Sequence, residues 1–164
     1  MLKIYKKSDK NSVNNFYGSR GAGILLLCPE DNTIFLVQRS SQVNEPGSWG
    51  VPGGKVEDGE ELLQAAKREA FEEVGGLPSS INLLNKIDYK NNKFSYTTFI
   101  FSVSLSNKKN WRPVLNWESS DYDWFSIDSL PSNLHFGVKF LVNNLTSLKR
   151  RAKYNLILSK TARS

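Results

Sequence analysis

The chain has 164 residues, of which 39% are apolar and 23% charged, and it carries a net charge of +6. These values are those of a soluble globular protein, read as one domain over residues 1–164 with enough chain for a proper core. No apolar run approaches the roughly 20 residues of a membrane-spanning helix, and the sole cysteine, Cys28, cannot form an internal disulfide. Residues 1–20 are a polar lead-in, too rich in lysine for a secretion signal, so a reducing, cytoplasmic compartment is expected.

In chain order, the apolar run 21–28 is followed by a turn at 29–32 and a second apolar run at 33–39, which together predict a hairpin of buried strands. Residues 40–50 read as a loop and 49–52 as a short strand, after which Pro52-Gly53-Gly54 turns the chain. A helix is expected over 60–74, ended by Gly75-Gly76, where glycine adopts the positive φ that stops helices. Two strands are expected at 81–89 and 94–105, about a polar turn at 91–93. Residues 106–120 read as a loop carrying Trp111 and Trp117, 122–127 as a last strand, and 136–148 as a C-terminal helix. The tail from 149 to 164 holds six bases and no acids. Cys28, inside an apolar run, reads as a buried structural thiol.

The helix at 60–74 carries the chemistry. Setting Arg68 at zero and turning ~100° per residue places Glu72 at ~40°, Glu69 at ~100° and Glu73 at ~140°. Leu63, Ala66, Ala70 and Val74 then share an opposite stripe suited to burial. Three carboxylates within two turns repel one another. A divalent cation relieves that repulsion, and hard oxygen donors suit Mg2+ or Mn2+. The segment 54–76 has seven acids against three bases, a net of −4, which leaves +10 on the rest of the chain. An acidic pocket in a basic shell suits a polyanionic substrate that meets a metal ion, although surface lysines also serve solubility.

From Gly54 the chain reads five residues, Glu60, seven residues, Arg68-Glu69, Ala70, one residue, Glu72-Glu73, one residue, Gly75. This order resembles the signature box of the Nudix hydrolases over the 23 residues 54–76. One position departs: Gly76 stands where the family usually has an aliphatic residue, a packing position. Arg39, the run Trp49-Gly-Val-Pro-Gly-Gly54, and Trp124 six residues after Glu118 also match places where the family carries similar residues.

The resemblance implies an α/β fold, a Nudix-type α/β/α sandwich with a mixed central sheet and the box helix packed on it. It implies hydrolysis of a phosphoanhydride bond in a nucleoside triphosphate, or in a nucleoside diphosphate linked to another moiety, with Mg2+ or Mn2+. By similarity Glu69, Glu72 and Glu73, with the carbonyl of Gly54, are the metal ligands, and Glu69 and Glu73 are central to catalysis. Arg68 pairs with a box glutamate, with Glu60 on its other side. Glu57 is a further acid near the metals or a plain surface turn residue. Glu118 is the implied general base, with Asp121 and Asp123 as competitors. Arg39 and Trp117 are the implied substrate contacts, through phosphate and base respectively. His135 is read as structural or exposed.

Subfamily markers are missing: no proline stands at Asn91-Asn92 and no tyrosine at Lys93 or its neighbours Asn92 and Phe94, the places linked to ADP-ribose and dinucleoside polyphosphates. The extended patterns linked to coenzyme A or reduced nicotinamide substrates are missing too. Two other readings stand beside the hydrolase. A decapping enzyme for RNA 5′ ends is suggested by the basic surface, with nucleic acid a weakly supported partner. A non-catalytic nucleotide or RNA sensor would have lost box glutamates, and none is lost. An acidic helix for calcium or protein contacts would need neither the glycine turn nor Arg68.

Overall fold

The apolar run after Arg20 becomes the spine of a sheet. The structure, a computed structural model, describes residues 19–142. Strand β1 (Ser19–Cys28) pairs antiparallel with β2 (Thr33–Arg39) and parallel with β6 (Phe94–Val103), the latter over nine residue pairs from Ser19↔Phe94 to Leu27↔Ser102. The hairpin turn between β1 and β2 puts Asn32 at φ 59°, a conformation asparagine tolerates. Strand β3 (Trp49–Gly50) extends the sheet beyond β2, and β5 (Ile81–Lys90) closes the other edge, giving the order β3-β2-β1-β6-β5. Strand β4 (Gly53–Lys55) joins β1, and β7 (Ser119–Ser126) joins β2.

A strand in the middle of a sheet that is covered on both faces must be apolar on both. Residues 21–28 are accordingly all buried, and they sort by parity. Ala22, Ile24 and Leu26 join Phe35, Phe99 and Phe101 beneath helix α1 (Leu62–Val74), which contributes Ala65, Ala66, Ala70 and Val74. Leu25 and Leu27 join Ile34, Leu36 and Ile100 on the other face, under Val138 and Leu141. Those last two belong to a helix whose described part is 136–142. The domain is therefore a mixed sheet between helices, as the sequence led us to expect.

Helix α1 begins two residues later than expected, at Leu62, with Glu61 as N-cap and its N–H bonded to Gln64 Oε1. It ends where expected: Gly75 (φ 77°) caps it and donates to Phe71 O, and Gly76 follows at φ 117°. An aliphatic side chain at Gly76 would be strained at that φ, so the departure from the box goes with a two-glycine stop.

Three expectations are corrected. Gly53 and Gly54, read as part of a turn at 52–54, instead belong to β4, with Gly53 opposite Gly23 and Gly54 opposite Ala22. Residues 105–110, read as strand end and loop, form a short helix α2 (Leu105–Asn110), because Ser104 caps it by accepting from Asn107 N–H at 3.2 Å. Strand β7 starts at Ser119, three residues early. Cys28 is buried, and burial pushes its thiol up to about 11. Among the described residues no helix is long and apolar enough to cross a membrane. The lead-in before residue 19, the helix beyond 142 and the basic tail lie outside the described residues.

Candidate active site

Helix α1 lies against β1 and β4, so its first carboxylate meets the glycine turn directly. A Cβ on Gly54 would stand 2.5 Å from the Glu69 carboxyl carbon, and one on Gly53 would stand 2.5 Å from Ala22 O. Only glycine lets β4 lie this flat on β1 with a glutamate pressed on top. Arg68 ties the assembly together. Its guanidinium bonds Glu60 through Nε (2.9 Å) and Nη2 (3.0 Å), Glu69 through Nη1 (2.9 Å), and the Lys55 carbonyl through Nη2 (2.9 Å). Glu72 makes only longer contacts to Nη1, 3.3 and 3.4 Å, and its side chain is 52% exposed. The fork of donors on one planar group thus fixes Glu69 while leaving Glu72 loosely held. The Arg68 hydrogen bonds hold the Glu60 carboxyl below the usual carboxylate range.

Glu73, one turn after Glu69, is buried. Its Oε2 accepts from Gly53 N–H (3.1 Å) and its Oε1 from Ser119 Oγ (2.6 Å). Burial pushes the carboxyl up, the two hydrogen bonds oppose that, and the charge of Glu118 adds to it. Glu69 is raised as well, by burial first, against Arg68 and with Glu72 and Glu118 contributing. Glu118 reaches this place because the start of β7 is pinned: Asn116 N–H donates to Glu73 O (3.0 Å), and Ser40 N–H donates to Glu118 O (2.8 Å). A register shift between Gln38 and Arg39 brings Ser119 opposite Arg39. Arg39 itself donates from Nε to Asn44 O at 2.5 Å.

Gly53 and Gly54, which touch Glu73 and Glu69, also line a cleft of about 240 Å³. Gly53, Gly54, Arg39 and Glu118 line the polar end, and Ile87, Tyr89, Phe136 and Phe140 the other. Rings at that end make edge contacts, Tyr89 with Phe140 at 5.1 Å and with Phe136 at 6.0 Å. His135 also lines the cleft, its ring tilted at 44° to that of Phe136 with centroids 4.5 Å apart. Its Nδ1 accepts from Gly137 N–H (3.2 Å), so Nε2 carries the proton it gives to Glu45 (2.9 Å). Burial holds its pKa below the ordinary histidine value, against the pull of Glu45.

The structure therefore gathers Arg39, Gly54, Arg68, Glu69, Glu73 and Glu118, with Glu60 and Glu72 at the rim. It does not bring Trp117, Asp121 or Asp123 into the cleft. Trp117 is 60% exposed, and the two aspartates accept the N–H of Tyr122 and Trp124 respectively. Glu57 is an exposed turn residue whose N–H donates to Glu60. Sequence reasoning missed Ser119, Tyr96 and the aromatic end, and it set His135 aside. Of these only Tyr96 left a trace in the sequence, the Gly21-x-Gly23 interruption of an otherwise bulky strand, which marks a close approach.

The donor set suits a hard divalent cation. Glu69, Glu72, Glu73 and the Gly54 carbonyl supply oxygen only, and burial raises the carboxyls of Glu69 and Glu73, a cost that a bound cation would offset. Among the described residues, no three acidic, histidine or cysteine side chains already converge on one point. Glu69 and Glu72 are turned to Arg68, and Glu73 to Ser119 and Gly53. Glu72, held least tightly, is the carboxylate that turns at least cost.

The NUDIX domain family profile matches residues 19–143. The 8-oxo-dGTP diphosphatase of Escherichia coli (strain K12) is 31% identical over 101 residues, 62% of this chain and 75% of its own. The m7GpppN-mRNA hydrolase dcap-2 of Caenorhabditis elegans is 30% identical over 114 residues, 68% of this chain and 14% of its own. The crystal structure of a MutT NUDIX hydrolase from Burkholderia pseudomallei superposes with a TM-score of 0.59 at 26% identity, covering 77% of this chain and 97% of that one. The chain belongs to the Nudix hydrolase family. It spans between 14% and 80% of the lengths of the curated relatives it matches.

Proposed function

We propose that the protein hydrolyses a phosphoanhydride bond in a nucleoside triphosphate, or in a nucleoside diphosphate linked to another moiety. The observation that carries this reading is the pairing of two ends in one cleft. Arg39, Glu118 and the Gly53-Gly54 backbone, which touches Glu73 and Glu69, stand at one end, and an aromatic, apolar wall fit for a nucleobase at the other. Glu69, Glu72, Glu73 and the Gly54 carbonyl would hold Mg2+ or Mn2+, which supplies charge neutralisation at the phosphoryl oxygens.

The chain's own groups do the rest. Arg39 faces the phosphate chain from the cleft wall and counters its charge. Arg68 fixes Glu69, and Ser119 and Gly53 fix Glu73, so the carboxylates are pre-set and no bond rotation is spent on them during reaction. Glu118 takes a proton from the attacking water as the water oxygen bonds to phosphorus. The anhydride P–O bond breaks, and two phosphate products leave. Glu118 is preferred over Asp121 and Asp123 because it alone of the three lines the cleft.

A second reading, removal of an RNA 5′ cap or end phosphates, is favoured by one observation. Trp117, beside Glu118 but outside the cleft, offers an exposed stacking face for a nucleotide beyond the first. Purified protein with Mg2+ against a panel of nucleotides and a short capped RNA, read as phosphate and pyrophosphate release, tests both. Hydrolysis of mononucleotides well ahead of the RNA supports the first reading. Faster release from the RNA moves the assignment to decapping, and no release from any member sinks both.

A further inference from the structure

Tyr96 lies at the junction of the cleft's two ends, and three glycines make room for it. On β1 the odd-numbered side chains, Leu25 and Leu27, fill the core opposite α1, yet the two preceding odd positions are Gly21 and Gly23. The Tyr96 ring occupies the space those side chains would take. A Cβ on Gly21 would stand 2.6 Å from Tyr96 Cδ2, and Cβ atoms on Gly23 or Gly53 would collide with the phenol oxygen. Glycine inside a strand weakens it, so two on one strand and a third on its neighbour mark a close approach.

The hydroxyl so placed makes no hydrogen bond among the described residues. It is also not sealed in, since Tyr96 lines the cleft together with Arg39 and Glu118. A tyrosine hydroxyl that is held in a packed site ordinarily has a partner. Here the ring is fixed by the sheet while the donor faces the space between the acidic end and the aromatic end. Its immediate neighbour, Gly53, is the residue whose N–H holds Glu73.

We propose that the Tyr96 hydroxyl donates a hydrogen bond to a phosphate oxygen of the substrate, where the phosphate chain leaves the nucleoside end of the cleft. It is thereby a substrate-binding residue that sets how far a nucleotide enters. The inference rests on the nucleotide reading of this cleft.

Tyr96→Phe keeps the ring and the filling of the glycine cradle, and removes only the donor. Its melting temperature should equal that of the wild type, because the hydroxyl has no partner to lose among the described residues. Calorimetric affinity for a non-hydrolysable α,β-methylene nucleoside triphosphate, measured without divalent ion, should fall about tenfold to a hundredfold, the range for a lost hydrogen bond to a charged group. Affinity for the corresponding nucleoside, which lacks phosphate, should not change. With Mg2+ present, kcat/KM should fall by a similar factor. A variant that binds the analogue and turns over as the wild type does overturns the proposal, as does equal weakening for analogue and nucleoside. A wild type that binds and cleaves no nucleotide instead refutes the function on which the proposal rests.

Discussion

Glu73→Gln separates the cost of a buried charge from its use. The carboxylate is buried with two donors on it, Gly53 N–H at 3.1 Å and Ser119 Oγ at 2.6 Å. In the amide, the carbonyl oxygen keeps the Gly53 bond, and the NH2 donates to Ser119 Oγ once that hydroxyl rotates. Two hydrogen bonds of about 1 kcal/mol each are therefore retained, while the desolvation of a charge and its repulsion from Glu118 disappear. The sign with pH follows from the raised carboxyl. A glutamate whose folded pKa lies above its unfolded value, about 4.3, contributes stability that is complete below the unfolded value and is lost as pH rises through the folded one. The metal-free wild type should therefore match the variant near pH 4 and fall below it in urea midpoint by pH 7. Turnover should move the other way. Losing a metal-ligand charge removes several kcal/mol of transition-state stabilisation, seen as a collapse of phosphate release under saturating Mg2+. A variant that keeps more than about a tenth of the wild-type rate, roughly 1.4 kcal/mol, would refute the role given to Glu73.

Turnover should require Mg2+ or Mn2+ and be inhibited by high calcium, whose longer bonds and larger ligand number fit these carboxylates poorly; full activity in chelator contradicts the metal reading. Glu118→Gln should lower kcat about a hundredfold or more, while Asp121→Asn and Asp123→Asn stay near wild type. If an aspartate variant is the more damaged, the base moves to that residue. Arg68→Lys keeps the charge but loses the fork that spans Glu60, Glu69 and Lys55 O, so calorimetric Mg2+ affinity should drop about tenfold to a hundredfold; an unchanged affinity removes Arg68 from the site.

The sequence disclosed most where the signal is local and periodic. The box helix shows itself through a 3.6-residue apolar stripe and a double glycine stop, and β1 through an unbroken apolar run. What stayed hidden depends on pairing between distant segments. Gly53–Lys55 is three residues with two glycines, and it is a strand only because β1 lies opposite. Helix α2 hides behind strand-like alternation that runs to Leu105, and one serine cap decides it. His135 enters the cleft because residues 133–135 are held along β3, through Trp49 N–H to Asn133 O and His135 N–H to Trp49 O, both at 2.8 Å. Nothing near His135 in the chain announces that contact.

The parity of β1 has a consequence for how such a protein can change. Ala22, Ile24 and Leu26 anchor the helix that presents the glutamates, whereas Leu25 and Leu27 anchor the side that carries Phe136 and Phe140. The backbone of one strand is the partition between two compartments of side chains. Repacking at Ile87, Tyr89 or Phe140 is absorbed on its own side of that partition, and the glutamates on the far side keep their positions. Which nucleoside is held and where the glutamates of α1 stand are thus separately adjustable.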